Sequence, residues 1–139
     1  MKHAILLFIF YISFGLGQTI QINEIVSSNG DNLYDEDGDT PDWIEIYNSG
    51  SSSVDLSNWS LSDSENVPDK WKFPEGTVIS PDRYLVILAD ELDDKISEAK
   101  YLHTNFKLSG DGEFLGLYDE KGNPTVSYTH LTLPTTPYV

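Results

Sequence analysis

Residues 42–48 read DWIEIYN, and this stretch decides the class of fold. Ile44 and Ile46 fall on one side of an extended chain, and Trp43, Glu45 and Tyr47 on the other. That period of two marks a strand with one face toward a core. Downstream, 83–89 read RYLVILA, which is apolar on both faces and predicts a central strand. Upstream, Thr19–Val26 begins with the same alternation at Ile20 and Ile22. Asn23-Glu24-Ile25-Val26 then breaks it, which predicts a bulge.

Further short runs lie between turn-forming clusters: 54–56, 59–62, 70–73, 77–79, 102–108 and 113–119. Pro74-Glu75-Gly76, Ser109-Gly110-Asp111-Gly112 and Glu120-Lys121-Gly122-Asn123 supply turns. Residues 90–100 are acidic and fit either a short surface helix or a loop. Roughly eight strands with turns every 8–12 residues predict an all-β antiparallel sandwich or barrel. A chain of 139 residues suits one domain, and its 39% hydrophobic content supports a packed core.

The chain carries 8 Lys+Arg against 23 Asp+Glu, a net charge of −15. Long-range repulsion then disfavours nucleic acid and anionic membranes and favours cations or basic partners. The absence of cysteine removes disulfides, thiolate chemistry and cysteine-ligated metals.

Residues 1–17, MKHAILLFIFYISFGLG, have the form of a secretory signal peptide. Lys2 and His3 precede an apolar run, and Gly15-Leu16-Gly17 offers a small-x-small cleavage site before Gln18. The run is shorter than the roughly 20 residues that span a bilayer. The expectation is a secreted or cell-surface protein. Export without cysteine points to a bacterial source.

Residues 126–139, VSYTHLTLPTTPYV, contain no Asp, Glu, Lys or Arg. Their composition fits a Thr/Pro-rich linker, and the string resembles a translated sequencing-adapter read-through. On the second reading the chain is the N-terminal fragment of a larger protein, and the domain occupies 18–125.

The sharpest chemical signal is Asp35-Glu36-Asp37-Gly38-Asp39, followed by Asp42. Calcium takes six to eight oxygens, so Asp35, Asp37, Asp39 and Asp42 are candidate ligands. The spacing departs from an EF-hand: the glycine is fourth, and Ile46 stands where a bidentate Glu belongs. An acidic hairpin loop with Gly38 at positive φ is the plainer reading. His103 lacks an accompanying nucleophile motif, and Ser109–Gly112 lacks the Lys-Ser/Thr of a phosphate loop. No catalytic residue is assigned. Trp43, Trp59 and Trp71 serve as core or as a sugar platform, with Trp43 the one expected to be partly exposed. Asn58-Trp59-Ser60 is a glycosylation sequon if the host is eukaryotic.

Several segments together resemble the lamin tail domain. These are Ile22-Asn23-Glu24-Ile25, DWIEIYN at 42–48, DLSNWSLSD at 55–63, KWKFPEGTVISPDRYLVI at 70–87 and HTNFKLSGDGEFLGLYDEKG at 103–122. The resemblance covers about 100 residues, in order, and implies an immunoglobulin-like β-sandwich. It is nearest to the bacterial secreted branch, where the domain is an accessory module of surface enzymes or of the spore-coat CotH kinase-like group. Family members continue with another strand where the atypical tail begins here, so the sandwich is expected to lack its last strand and expose an edge. The resemblance implies a non-catalytic interaction module that contacts protein or cell-envelope polymer. Two rivals stand beside it. One is the accessory domain of a surface enzyme whose catalytic part lies elsewhere. The other is a calcium-dependent adhesion or carbohydrate-binding domain. Nuclear members bind proteins and some bind DNA, which the net charge opposes here.

Overall fold

The structure, a computed structural model, describes residues 19–93 and 100–128. The expected signal peptide, residues 94–99 of the segment 90–100 expected as a short helix or a loop, and the tail beyond 128 lie outside the described residues. Ten strands are described: β1 (Ile20–Val26), β2 (Asp42–Asn48), β3 (Val54–Asp55), β4 (Ser60–Ser62), β5 (Trp71–Lys72), β6 (Val78–Ile79), β7 (Tyr84–Ala89), β8 (Leu102–His103), β9 (Leu115–Tyr118) and β10 (Pro124–Tyr128). They form one four-stranded sheet in the order β1-β2-β7-β8, a second in the order β10-β9-β4-β5, and a β3-β6 ribbon.

The alternation in β2 sets the core. Ile44 and Ile46 are fully buried between the sheets. Their neighbours across the ladders are Ile25 and Ile22 on β1, and Ile87 and Leu85 on β7. The second sheet answers with Leu61, Trp71, Leu115 and Leu117 in the same core. Each such aliphatic side chain contributes about 1.5–3 kcal/mol when fully buried.

The bulge falls where the sequence places it, between Ile22 and Glu24. The extra residue resets the strand's phase. Ile20, Ile22 and Ile25 all join the core, while Val26 turns to the opposite face beside Trp43. Central placement of β7 also holds, since β2 and β8 flank it.

Trp43 corrects an expectation. It does lie opposite Ile44 and Ile46, yet it is only 9% exposed. Val26 and Leu88 pack beside it, and Leu33 and Tyr101 pack against that cluster. Trp71 lies in the main core and Trp59 packs partly buried against it, so the tryptophans serve as packing.

The expected strand 102–108 is cut to Leu102–His103, and its pairing with β7 is parallel, against the antiparallel rule elsewhere. The Thr104 amide still donates to the Leu88 carbonyl of β7 at 2.8 Å, and beyond it the buried Thr104 hydroxyl donates to the Phe106 carbonyl at 2.7 Å, a local bond that accompanies the chain's departure from the ladder. Phe106 and Leu108 then drop into the core from irregular chain.

Strand β10 pairs antiparallel with β9, with Val126 opposite Leu117 and Tyr128 opposite Leu115. It runs across the boundary placed at 125 and occupies the edge expected to be bare.

Candidate functional site: an acidic cleft at the loop end

Antiparallel pairing brings the start of β2 beside the end of β7, with Asp42 opposite Ala89. The loop 27–41 must return to that corner, and its polar residues fold it there. Asn29 donates through Nδ2 to the carbonyls of Leu33 (2.7 Å) and Pro41 (3.0 Å). Its Oδ1 accepts from the Asn32 amide at 3.2 Å. Asp42 Oδ1 accepts from the amides of Ser28 and Asn29, at 2.7 and 3.2 Å. A carboxylate that accepts backbone amides holds loop geometry as a cap does.

Asp35 does the same for the acidic turn. Its Oδ1 accepts from the amides of Asp37 and Asp39, at 2.9 and 2.8 Å. The backbone closes the turn from Asp35 N to Asp39 O at 2.9 Å, with Gly38 at φ 86°. The positive φ expected of Gly38 is therefore present. Asp37 and Asp39 are exposed.

The structure brings three of the four proposed calcium ligands to one place. Asp35, Asp39 and Asp42 line an open cleft of about 410 Å³ together with Asp90, Lys107 and Leu108. Asp37 is not part of its wall. Among the described residues, no three Asp, Glu or His side chains converge closely enough to hold a metal ion. The Oδ1 atoms of Asp35 and Asp42 already accept backbone amides.

Residues given no role from the sequence, Glu36, Asp90 and His103, tie this corner together. Glu36, the fifth acid of the segment, accepts the Tyr101 amide through Oε1 at 2.9 Å. Its Oε2 lies 3.5 Å from His103 Nε2. His103 is 5% exposed, and its Nδ1 lies 2.7 Å from Asp90 Oδ2. Desolvation works to raise the Glu36 carboxyl, but the amides of Tyr101, Glu36 and Lys100 and the nearby His103 outweigh it and hold it below the ordinary range. A buried imidazole between two carboxylates joins the acidic loop to β8 and to the end of β7. The contact of Glu36 with His103 spans 67 positions of chain in all, a distance that local pattern cannot reveal. The hydrophobic flanks of Asp90 and His103 were legible; their pairing was not.

The arrangement binds loop to sheet and leaves an acidic surface beside it. Nε2 of His103 has no hydrogen-bond partner among the described residues and does not line the cleft. Among the described residues, no hydroxyl hydrogen-bonds to His103 Nε2, the contact a hydroxyl nucleophile needs. Two face-packed sheets with a loop-bearing end define an immunoglobulin-like sandwich. The chain belongs to the lamin tail domain family: the Lamin Tail Domain matches residues 17–131, a span that includes every strand described above. No curated protein matches the chain.

Proposed function

We propose that this lamin tail domain is an exported, non-catalytic interaction module of the bacterial cell surface. It contacts protein or cell-envelope polymer, and it forms the N-terminal part of a longer chain. The observation that carries the reading is the state of the potential catalytic groups. His103 is buried and held by Asp90, while Asp35 and Asp42 cap backbone amides, so these groups organise a surface. Family membership supports a β-sandwich without catalytic machinery of its own. Residues 1–17 support export, and the charge of −15 supports a cationic partner.

Sedimentation of the purified chain with intact bacterial cells and with isolated cell-wall polymer tests the binding role. Saturable retention on either supports it. Retention on neither, with the fold intact, overturns it. A long read of the locus across codon 125 tests the fragment reading and the read-through origin of 126–139. An open frame that continues into a further domain supports both; a stop after Val139 in the genome overturns both.

A further inference from the structure

The outer face of the β1-β2-β7-β8 sheet has two unlike halves. At the loop end, Val26, Trp43 and Leu88 are buried, with Leu33 and Tyr101 packed against them. Toward the other end the face is aromatic and acidic. Tyr47 and Tyr84 are cross-strand neighbours whose rings stack, with centroids 4.5 Å and planes 21° apart. The Tyr47 hydroxyl donates to Asp82 at 3.1 Å. Strand β8 pairs with β7 only at Ile87 and Leu88, so among the described strands Tyr84 has a neighbour on one side alone. It is 55% exposed.

The adjacent row of the same face runs Glu24, Glu45 and Val86. Like charges directly opposite on neighbouring strands repel. Desolvation, and then the charge of Glu45, push the Glu24 carboxyl above its ordinary value. Glu24 Oε1 is shut off from solvent and has no hydrogen-bond partner among the described residues. Among the described residues, Glu45 Oε1 accepts from a neutral donor, Asn23 Nδ2, at 2.7 Å. The bulge creates this pair, because it sets Glu24 against Glu45 and leaves Asn23 as the extra residue.

The geometry points to this face as a docking site for a basic, extended peptide segment of a partner protein. An arginine or lysine head seats against Glu24 and Glu45, and a second lies over the open face of Tyr84. A cation answers the repulsion of the paired carboxylates, and an aromatic face attracts an organic cation. A neutral sugar would stack on the ring but leave the carboxylates uncompensated. The inference rests on the interaction-module reading and names the chemistry of the partner.

Fluorescence anisotropy of a labelled (Arg-Ser)5 peptide with the full chain, near physiological salt, is the test. Glu24→Gln with Glu45→Gln should weaken binding at least tenfold. Tyr84→Ala should weaken it at least fivefold, and Tyr84→Phe should retain it. Glu75→Gln with Glu120→Gln removes the same charge from exposed turns and should weaken binding less than twofold. Near-UV circular dichroism verifies that each variant is folded. Equal losses in the two double variants, an unaffected Tyr84→Ala, absence of peptide binding, or capture of a neutral oligosaccharide such as cellohexaose in place of the peptide overturns the inference. Absence of peptide binding with retention on cells intact overturns this site and leaves the module reading standing.

Discussion

His103 Nδ1 lies 2.7 Å from Asp90 Oδ2, and this contact fastens β8 to the end of β7. Glu36 approaches the other ring nitrogen from the acidic loop. Replacing His103 with Ala leaves two carboxylates facing a cavity. The variant is expected to lose about 3 kcal/mol of stability, the sum of a lost buried contact and a stranded polar group. Urea denaturation checks this, and a loss below about 1 kcal/mol would show that the trio does not anchor the loop.

Glu24 sets a pH dependence of definite sign. Its carboxyl is raised in the folded state by desolvation and by Glu45, so the native chain holds that proton more tightly than the unfolded one. The contribution to stability is full below the unfolded value near 4.5 and is lost as pH rises through the folded value. At neutral pH, Glu24→Gln should therefore stabilise by about 0.5 kcal/mol. The gain should vanish as the pH falls below 4.5, the ordinary value of the group. Paired denaturation curves at the two pH values measure it.

Asp55 and Asp119 act with the opposite sign. The Ser57 hydroxyl and amide hold Asp55 below its ordinary value, and Asn123, by side chain and amide, does so for Asp119. Their contributions are present above the unfolded value near 3.8 and disappear as pH falls through the folded ones. Asp55→Asn and Asp119→Asn should each flatten the acid limb of the stability profile, as thermal melts across that range will record.

The acidic turn separates two kinds of aspartate. Asp35 accepts two amides, whereas Asp37 is exposed and contributes its own amide to the turn. Asp35→Ala should cost about 1–2 kcal/mol, and Asp37→Ala should stay within about 0.5 kcal/mol. Thermal melts with and without millimolar calcium probe whether Asp35, Asp37, Asp39 and Asp42 act as calcium ligands. The turn geometry predicts no calcium-dependent shift, and a shift abolished by Asp37→Ala would restore that reading.

Asn48 is fully buried and fully engaged. Nδ2 donates to the carbonyls of Ser52 and Ile79, at 2.9 and 3.0 Å, and Oδ1 accepts from the Gly50 amide at 2.9 Å. It pins the turn after β2 to the β3-β6 ribbon. Asn48→Ala strands those groups and should cost about 3 kcal/mol, read from a shifted denaturation midpoint with an unchanged slope.

Much of this fold is legible in single segments. DWIEIYN, RYLVILA and the interrupted alternation at Asn23-Glu24 locate β2, β7 and the bulge, because strand period and burial act locally. The burial of Trp43 was hidden because its cover, Leu33 and Tyr101, comes from distant parts of the chain. The shortened β8 was hidden because the chain after Thr104 leaves the ladder for a local bond from the Thr104 hydroxyl to the Phe106 carbonyl, which β-prone composition does not reveal. At the acidic loop, the sequence exposes charge and glycine but not which oxygens the backbone claims. For the same reason the Glu36–His103–Asp90 trio and the Tyr47–Tyr84 stack emerge only when remote segments meet.

The most direct measurement is fractionation of a bacterial host that expresses the complete chain, with N-terminal sequencing of the product. The account predicts a protein outside the inner membrane that begins at Gln18 and is retained at the cell surface. An unprocessed chain confined to the cytoplasm would contradict it.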